Sequence, residues 1–79
     1  MSTMNQEMLE FIAANLRLPI EKVTPNSHFK NDLGADSLDI VEFIMIMEEK
    51  FDIKVEDQEI LTLTTPLAVQ EFLKSKGKL

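Results

Sequence analysis

The stretch Leu33-Gly34-Ala35-Asp36-Ser37-Leu38-Asp39 carries the most information in this chain, because it places one serine between two aspartates where a loop becomes a helix. Asp36 is a favoured N-cap residue, and Asp39 adds negative charge to the first helical turn. An anionic group on Ser37 would lie at the helix start, where free backbone N–H groups and the positive end of the helix dipole favour it. The stretch therefore predicts a helix from about Asp36 to Lys50, with Ser37 as a modified attachment point and not a nucleophile.

Length and composition predict a single domain over residues 1–79, with a frayed tail at 74–79. The chain contains no cysteine, which excludes a disulfide framework and a thiolate metal site. Its first residues lack the basic and apolar regions of a signal peptide, and no apolar run approaches membrane-spanning length. We therefore expect a cytoplasmic, monomeric protein without a membrane span.

The N-terminal part of the chain predicts a helix followed by a long loop. Thr3 and Gln6 have the spacing of a capping box. Apolar residues then recur at helical spacing until Pro19, which ends the helix or closely follows its end. Residues 17–35 are rich in proline, asparagine, serine and glycine residues that favour turns, and so predict the loop. Its expected core anchors are Val23, Phe29 and Leu33.

The C-terminal part predicts one short helix and a third main helix. Asp57 can cap a brief helix that extends to residues 61–63. Thr65 and Pro66 form a strong helix start, an N-cap followed by proline at the first helical position, and Gly77 marks the end of that helix. The predicted fold is all-α: a small antiparallel-type bundle of three main helices plus one short helix, with a long loop between the first and second helices.

The net charge of −6 is concentrated in the middle of the chain. Residues 36–59 hold nine acidic residues against two lysines, a net charge of −7, whereas residues 60–79 carry a net charge of +2. This distribution argues against nucleic acid as a partner and favours proteins with basic patches, whose association would weaken as salt rises. A solvated face that only confers solubility explains the charge equally well.

The second helix has two distinct faces on a helical wheel. One arc of about 100° is apolar and is expected to face the core. It consists of Ile40, Phe43, Ile44, Met47 and Phe51. The opposite side carries an apolar cluster with surrounding carboxylates, an arrangement typical of a docking surface. We call it the docking face, and on the wheel its residues are Leu38, Asp39, Val41, Glu42, Met45, Glu48 and Glu49, with Ile46 among them. In the alternative interpretation, Leu38 and Val41 pack under the long loop and Met45 is incidentally exposed.

The sequence shows no catalytic apparatus, so we expect that the protein is not an enzyme. His28 is the only histidine, and nothing in the sequence places it beside Ser37 as a base. Gly34-Ala35-Asp36-Ser37 also lacks the Gly-x-Ser-x-Gly pattern of a nucleophile elbow. We expect His28 to be a solvated loop residue. The acidic block lacks the spacing of an EF-hand loop, and no metal site is predicted.

The chain resembles the acyl carrier proteins over nearly its whole length. The resemblance rests on Asp36-Ser37-Leu38 within its surrounding motif, on Glu42, and on Glu48-Glu49-Lys50-Phe51. It extends to the first helix, the loop with Phe29, and Thr64-Thr65. The resemblance implies that a phosphopantetheinyl transferase moves 4'-phosphopantetheine from coenzyme A onto Ser37, and that the arm carries acyl groups as thioesters. It also implies that acyl-chain-processing enzymes with basic patches dock on the docking face, and it adds Asp36 to the residues of that face.

The resemblance favours a stand-alone, type II carrier that serves fatty-acid synthesis, and two alternatives stay open. Ile46 replaces a usually small residue and Glu56 a usual proline, which would suit a specialised carrier for polyketide or other lipid pathways. The alternative from another class is an unmodified acidic helical module that binds basic partners. In a carrier, the apolar acyl chain is expected to enter the bundle interior. The candidate lining residues are Ile44, Met47, Phe51, Ile60 and Leu63.

Overall fold

The computed structural model describes residues 5–79, and within this range the chain is helical and has no strand. The four α-helices are α1 (Gln6–Leu16), α2 (Ser37–Phe51), α3 (Asp57–Ile60) and α4 (Pro66–Ser75). The predicted all-α fold with three main helices and one short helix is confirmed. None of the helices in this range has both the length and the apolarity needed to cross a membrane.

Helix α1 begins later than the sequence pattern suggested. Its N-cap is Asn5, whose side-chain oxygen accepts the backbone N–H of Glu7 at 2.8 Å. Gln6 is therefore the first helical residue and not the third, so the capping box predicted from Thr3 and Gln6 does not start this helix. Thr3 itself lies outside the described residues. The helix ends where Arg17 adopts a left-handed conformation with φ of 59°, just before Pro19, as predicted.

Helix α2 begins where the sequence predicted it to begin. The carboxylate of Asp36 accepts the backbone N–H of Asp39 at 2.9 Å, and the carboxylate of Asp39 accepts the backbone N–H of Asp36 at 3.1 Å. This reciprocal capping box satisfies two backbone donors that the helix itself leaves unpaired. The helix extends to Phe51, one residue beyond the predicted end, and Asp52 terminates it in a left-handed conformation with φ of 54°.

The start of α3 differs from the prediction, whereas that of α4 agrees with it. Glu56, not Asp57, is the N-cap of α3, and the backbone N–H of Glu56 donates to the side chain of Glu59 at 3.0 Å. The helix ends at Ile60, so it is one turn long and shorter than predicted. In α4 the Thr65 hydroxyl accepts the backbone N–H of Ala68 at 3.1 Å, and proline occupies the first helical position.

The long loop between α1 and α2 wraps over the core and is not structureless. It contains one turn of 3₁₀ helix at Ile20–Lys22. Of its expected anchors, Val23 and Phe29 are buried and Leu33 is half-buried. The loop is tied to the first turn of α4, because the carbonyl of Pro25 accepts the N–H of Leu67 at 3.0 Å. Such backbone pairing explains how a long connection stays ordered in a small domain.

The core side of α2 agrees with the wheel. Phe43, Ile44 and Met47 are buried, and Ile40 and Phe51 are half-buried. The ring of Phe43 lies 5.6 Å from that of Phe11 and 6.1 Å from that of Phe29, so aromatic contacts join α1, α2 and the loop. The largest buried side chains come from every main helix and the loop; they include Ile12, Phe29, Phe43, Met47, Val69 and Leu73.

Replacement of Phe29 should test how strongly the loop contributes to stability. Phe29→Ala removes a ring that is 1% exposed, and such truncations cost about 3–5 kcal/mol of unfolding free energy. Phe29→Leu, which keeps most of the apolar volume, should cost clearly less. Leu61→Ala is the control, because this side chain is 78% exposed and its loss should change stability by less than about 0.5 kcal/mol. Urea unfolding followed by far-ultraviolet circular dichroism measures all three, and equal midpoints for Phe29→Ala and Leu61→Ala would contradict the anchoring role.

Candidate functional site

Ser37 is the first residue of α2 and is exposed. The two flanking carboxylates hold each other's backbone N–H groups, so the capping box does not use the Ser37 side chain. Within residues 5–79, the backbone N–H groups of Ser37 and Leu38 make no hydrogen bond. The hydroxyl therefore projects from a helix start at which two backbone donors are available.

The segment before α2 fixes the position of Ser37. Gly34 has φ of +71°, a left-handed conformation that other residues adopt at a cost, while no atom crowds the place where a Cβ would lie. Ala35, which follows it, is buried, and its N–H donates to the carbonyl of Phe29 at 2.8 Å. The glycine in this motif is therefore required by backbone conformation and not by lack of space.

A cleft of about 340 Å³ lies beside Ser37, between the loop, α2 and α3. Its wall is mostly apolar and includes side chains from all three segments. The lining residues are His28, Phe29, Lys30, Ser37, Ile40, Val41, Ile60, Leu61, Leu63 and Thr64. An apolar cleft with a few polar groups at an exposed hydroxyl is suited to receive a ligand attached at that hydroxyl.

His28 is not the solvated loop residue that we expected. It is half-buried and lines the same cleft as Ser37. Its ring nitrogen Nδ1 accepts the backbone N–H groups of Lys30 and Asn31, both at 3.2 Å. Within residues 5–79, no hydrogen bond joins His28 to the Ser37 hydroxyl, so the imidazole stabilises the loop and the arrangement lacks the base-to-nucleophile contact of an activated serine.

A comparison of the chain with protein-family models matches the family described as phosphopantetheine attachment site over residues 6–73. The chain belongs to this phosphopantetheine attachment family. Domains of the family are sites of covalent 4'-phosphopantetheine attachment and are in general carriers and not catalysts. The sequence-based prediction of a phosphopantetheine-dependent carrier of the acyl-carrier type is confirmed.

The serines of this phosphopantetheine attachment domain differ in how accessible their hydroxyl groups are for attachment of the arm. Attachment through a phosphodiester requires a hydroxyl that a transferase can reach. Ser27 is 8% exposed and its hydroxyl contacts that of Thr24 at 2.6 Å, while the Ser75 hydroxyl donates to the carbonyl of Phe72 at 2.6 Å. Of the serines in the described range, only Ser37 combines exposure with a hydroxyl that makes no hydrogen bond within that range. The residues present therefore fit the arm at Ser37.

The apolar part of the docking face is exposed, as the wheel predicted. Leu38 is 65% exposed, Val41 44% and Met45 60%, and the neighbouring Ile46 is 42% exposed. Leu38 and Val41 are therefore not buried under the loop, although Val41 also lines the cleft beside it. Whether partners bind this surface remains a prediction, since exposure alone identifies no partner.

The carboxylates of the docking face fall into two groups. Asp36 and Asp39 form the capping box, and the carboxylate of Glu48 accepts the backbone N–H of Val55 at 2.8 Å. Glu42 and Glu49 are exposed, and neither forms an ion pair within residues 5–79. Three of the five carboxylates thus stabilise the fold, and the other two are available to a partner's cations.

The candidate lining residues are divided between the cleft and the core. Ile60 and Leu63 line the cleft, whereas Ile44 and Met47 are buried and Phe51 is half-buried, outside its lining. The other apolar residues of the cleft wall were not among the lining residues predicted from the sequence. These are Phe29, Ile40, Val41 and Leu61. Ile40 and Val41 lie immediately C-terminal to the motif, and their closeness to Ser37 along the helix was the one signal that could have identified them.

The contribution of the Glu48–Val55 hydrogen bond to stability can be tested by substitution. Glu48→Ala removes the acceptor for the Val55 N–H, and loss of a charge-assisted hydrogen bond costs about 1.5–3 kcal/mol. Glu48→Gln keeps an oxygen acceptor and should lose less. Glu42→Ala is the matched control, because Glu42 makes no such bond and should change stability by less than about 0.5 kcal/mol. Thermal unfolding compares the three, and equal melting temperatures for Glu48→Ala and Glu42→Ala would show that the bond adds nothing.

Proposed function

We propose that this protein holds acyl intermediates as thioesters on a 4'-phosphopantetheine arm attached to Ser37 and delivers them to the enzymes of fatty-acid synthesis. The observation that supports it is the position of the Ser37 hydroxyl, exposed and without a hydrogen bond to residues 5–79, at the edge of an apolar cleft. The bound arm supplies the thiol that carries the acyl group. The protein supplies position and recognition.

The attachment step requires an accessible hydroxyl group and a favourable environment for the new negative charge. The phosphopantetheinyl transferase must reach the Ser37 hydroxyl, and the exposed start of α2 allows this. The resulting phosphodiester is anionic and would lie next to the unpaired N–H groups of Ser37 and Leu38, whose dipoles favour negative charge. Asp36 and Asp39 keep the helix start formed, so that the serine is presented on a rigid element.

Recognition by acyl-chain-processing enzymes is assigned to the docking face. Its exposed centre of Leu38, Val41 and Met45 provides apolar contact area, and Glu42 and Glu49 provide unpaired charges at its margin. An apolar centre with a charged rim is the usual composition of a transient interface. Partners with basic patches would be attracted over a distance and then held by apolar contacts. We propose that the protein acts in this way as a cytoplasmic monomer that is not itself an enzyme.

The cleft supports a straight apolar acyl chain as the cargo. Ile40, Ile60 and Leu63 offer hydrocarbon contacts close to the attachment point. Each CH₂ group removed from water contributes about 0.8 kcal/mol at most, so a medium-length chain gains enough to prefer the cleft to solvent. This favours fatty-acid intermediates over cargo that carries many polar groups.

Modification of Ser37 is the decisive test of the proposal. Incubation of apo protein with coenzyme A and a broad-specificity phosphopantetheinyl transferase should add one arm, which intact-mass and peptide mapping should assign to Ser37. Ser37→Ala should gain no arm and yet fold normally, because its side chain makes no bond in the capping box. An arm found on Ser27 or Ser75, or on no residue, would end the carrier proposal.

The docking face should be tested with the purified transferase as the partner. Glu42→Lys should slow association, and Met45→Ala should act chiefly by faster dissociation, because charges steer approach whereas apolar contacts hold the complex. Glu71→Lys on α4 is the charge-matched control and should bind like the unmodified sequence. Stopped-flow association at several salt concentrations gives both rates. An affinity that does not fall as salt rises would contradict electrostatic docking.

Burial of the acyl chain should appear as a difference in thermal stability. A ligand that contacts only the folded state stabilises it, so a medium-chain acyl form should melt at a higher temperature than the holo form. Ile60→Phe fills part of the cleft and should reduce this gain without preventing arm attachment. Ile46→Phe is the control, because Ile46 is exposed and is not part of the cleft lining. Equal melting temperatures for holo and acyl forms of the unmodified sequence would mean that the chain stays outside the cleft.

A further inference from the structure

We propose that Lys30 is the ionic partner of the arm's phosphate and holds the first part of the arm against the cleft. The inference rests on the proposed function, because it places the arm on Ser37. It adds a binding role for a loop residue that the carrier function does not by itself require. Lys30 and Ser37 line the same cleft, Lys30 from the loop and Ser37 from the start of α2.

The charges around Ser37 create a need for such a partner. A phosphodiester carries one negative charge at neutral pH, and the residues of α2 nearest to it in sequence include Asp36, Asp39 and Glu42. These carboxylates repel the phosphate and therefore disfavour an arm that lies along the docking face. Among the residues that line the cleft, Lys30 carries the only permanent positive charge. Attraction to Lys30 draws the phosphate towards the cleft side.

Backbone contacts keep Lys30 near the attachment point. The neighbouring Phe29 donates its N–H to the carbonyl of Thr64 at 2.9 Å and accepts the N–H of Ala35 at 2.8 Å. Ala35 precedes Ser37 by two residues. Since the Phe29 ring is 1% exposed, the backbone at this position cannot swing away without exposing a large apolar side chain. The flexible stem of Lys30 therefore starts from a fixed point of the backbone at the edge of the cleft.

Several hydrogen bonds hold the turn formed by residues 28–33. The backbone carbonyl of His28 accepts the N–H groups of Asp32 and Leu33 at 2.8 and 3.1 Å. The backbone N–H of His28 donates to the Asp32 carboxylate at 2.7 Å. The imidazole accepts the N–H of Lys30 at 3.2 Å, which sets the direction in which the Lys30 side chain leaves the turn. His28 is thus a positioning residue that acts through Lys30.

Lys30 is available for this role. It is exposed, and the ion pair found within residues 5–79 joins Glu59 and Lys76 instead. Two other lysines lie over aromatic rings, Lys50 above Phe11 and Lys76 above Phe72. The rival role for Lys30 is to cover apolar wall with its stem while its ammonium group stays in water. That role needs no phosphate, so the two can be separated by experiment.

The test uses holo protein with a nitroxide spin label on the thiol of the arm. Because the chain has no cysteine, a thiol-reactive label modifies the arm alone. Paramagnetic broadening of the amide signals of Ile60 and Thr64 then reports how often the arm lies along the cleft. Lys30→Gln should lose most of this broadening, whereas the charge-matched control Lys54→Gln, in the connector before α3, should keep it. The phosphorus signal of the arm should depend on salt concentration in the control and lose most of this dependence in Lys30→Gln.

The positioning role of His28 has its own test. His28→Ala removes the acceptor for the Lys30 N–H and should reduce the broadening as Lys30→Gln does. His28→Asn should restore it, because a side-chain carbonyl can accept the same N–H groups. A role in stability alone would lower the melting temperature without changing the broadening in the folded protein.

The two proposals fail in different ways. If the arm is attached to Ser37 by mass but Lys30→Gln, Lys54→Gln and the unmodified sequence give equal broadening, the role of Lys30 is overturned and the carrier function stands. If mass analysis finds no arm on Ser37, the proposed function fails first. Restoration by His28→Asn together with loss in Lys30→Gln would establish the ionic contact.

Discussion

The fold of the site depends on the burial and backbone pairing of Phe29. Its ring packs 6.1 Å from that of Phe43, its N–H bonds to Thr64, and its carbonyl bonds to Ala35. One residue therefore joins the loop to the start of α2 and to the segment before α4. Val23 and the Pro25–Leu67 bond hold the first part of the loop, and the Phe29 connection holds the part that lines the cleft and leads to Ser37. The hydrophobic contribution of one ring thus determines the geometry of a polar site.

Local signals in the sequence predicted the elements whose ends are determined locally. The Asp36–Asp39 capping box and the Thr65–Pro66 helix start depend on residues within one turn, and both were located correctly. The starts of α1 and α3 were misplaced because neighbouring residues compete as caps. At α1, Asn5 is preferred because its N–H also donates to the buried Gln70 of α4 at 2.8 Å, a contact between residues far apart in sequence.

The same distinction explains which parts of the site were predictable. Ser37 and the exposed apolar side of α2 follow from a motif and a helical period, which are local properties. The cleft is formed by residues from the loop, α2 and α3, so a wheel of α2 shows which side faces inward but not which neighbours that side meets. Ile44 and Met47 were therefore grouped with Ile60 and Leu63, which belong to the same core but also line the cleft. His28 was assigned to solvent for the same reason.

One wall of the cleft consists of Ile60, the last residue of α3, and of residues that follow this helix. The helix is a single turn, too short to be stable by itself, and is held by the Glu56–Glu59 cap, the Glu48–Val55 bond and a 3.6 Å ion pair from Glu59 to Lys76. The partly exposed ion pair contributes little, whereas the charge-assisted Glu48–Val55 bond and the buried Val55 and Leu63 hold the chain on either side of α3. The opposite wall is fixed by the buried Phe29. Both walls therefore rely on buried apolar anchors, which are Phe29 in the loop and Val55 and Leu63 on either side of α3.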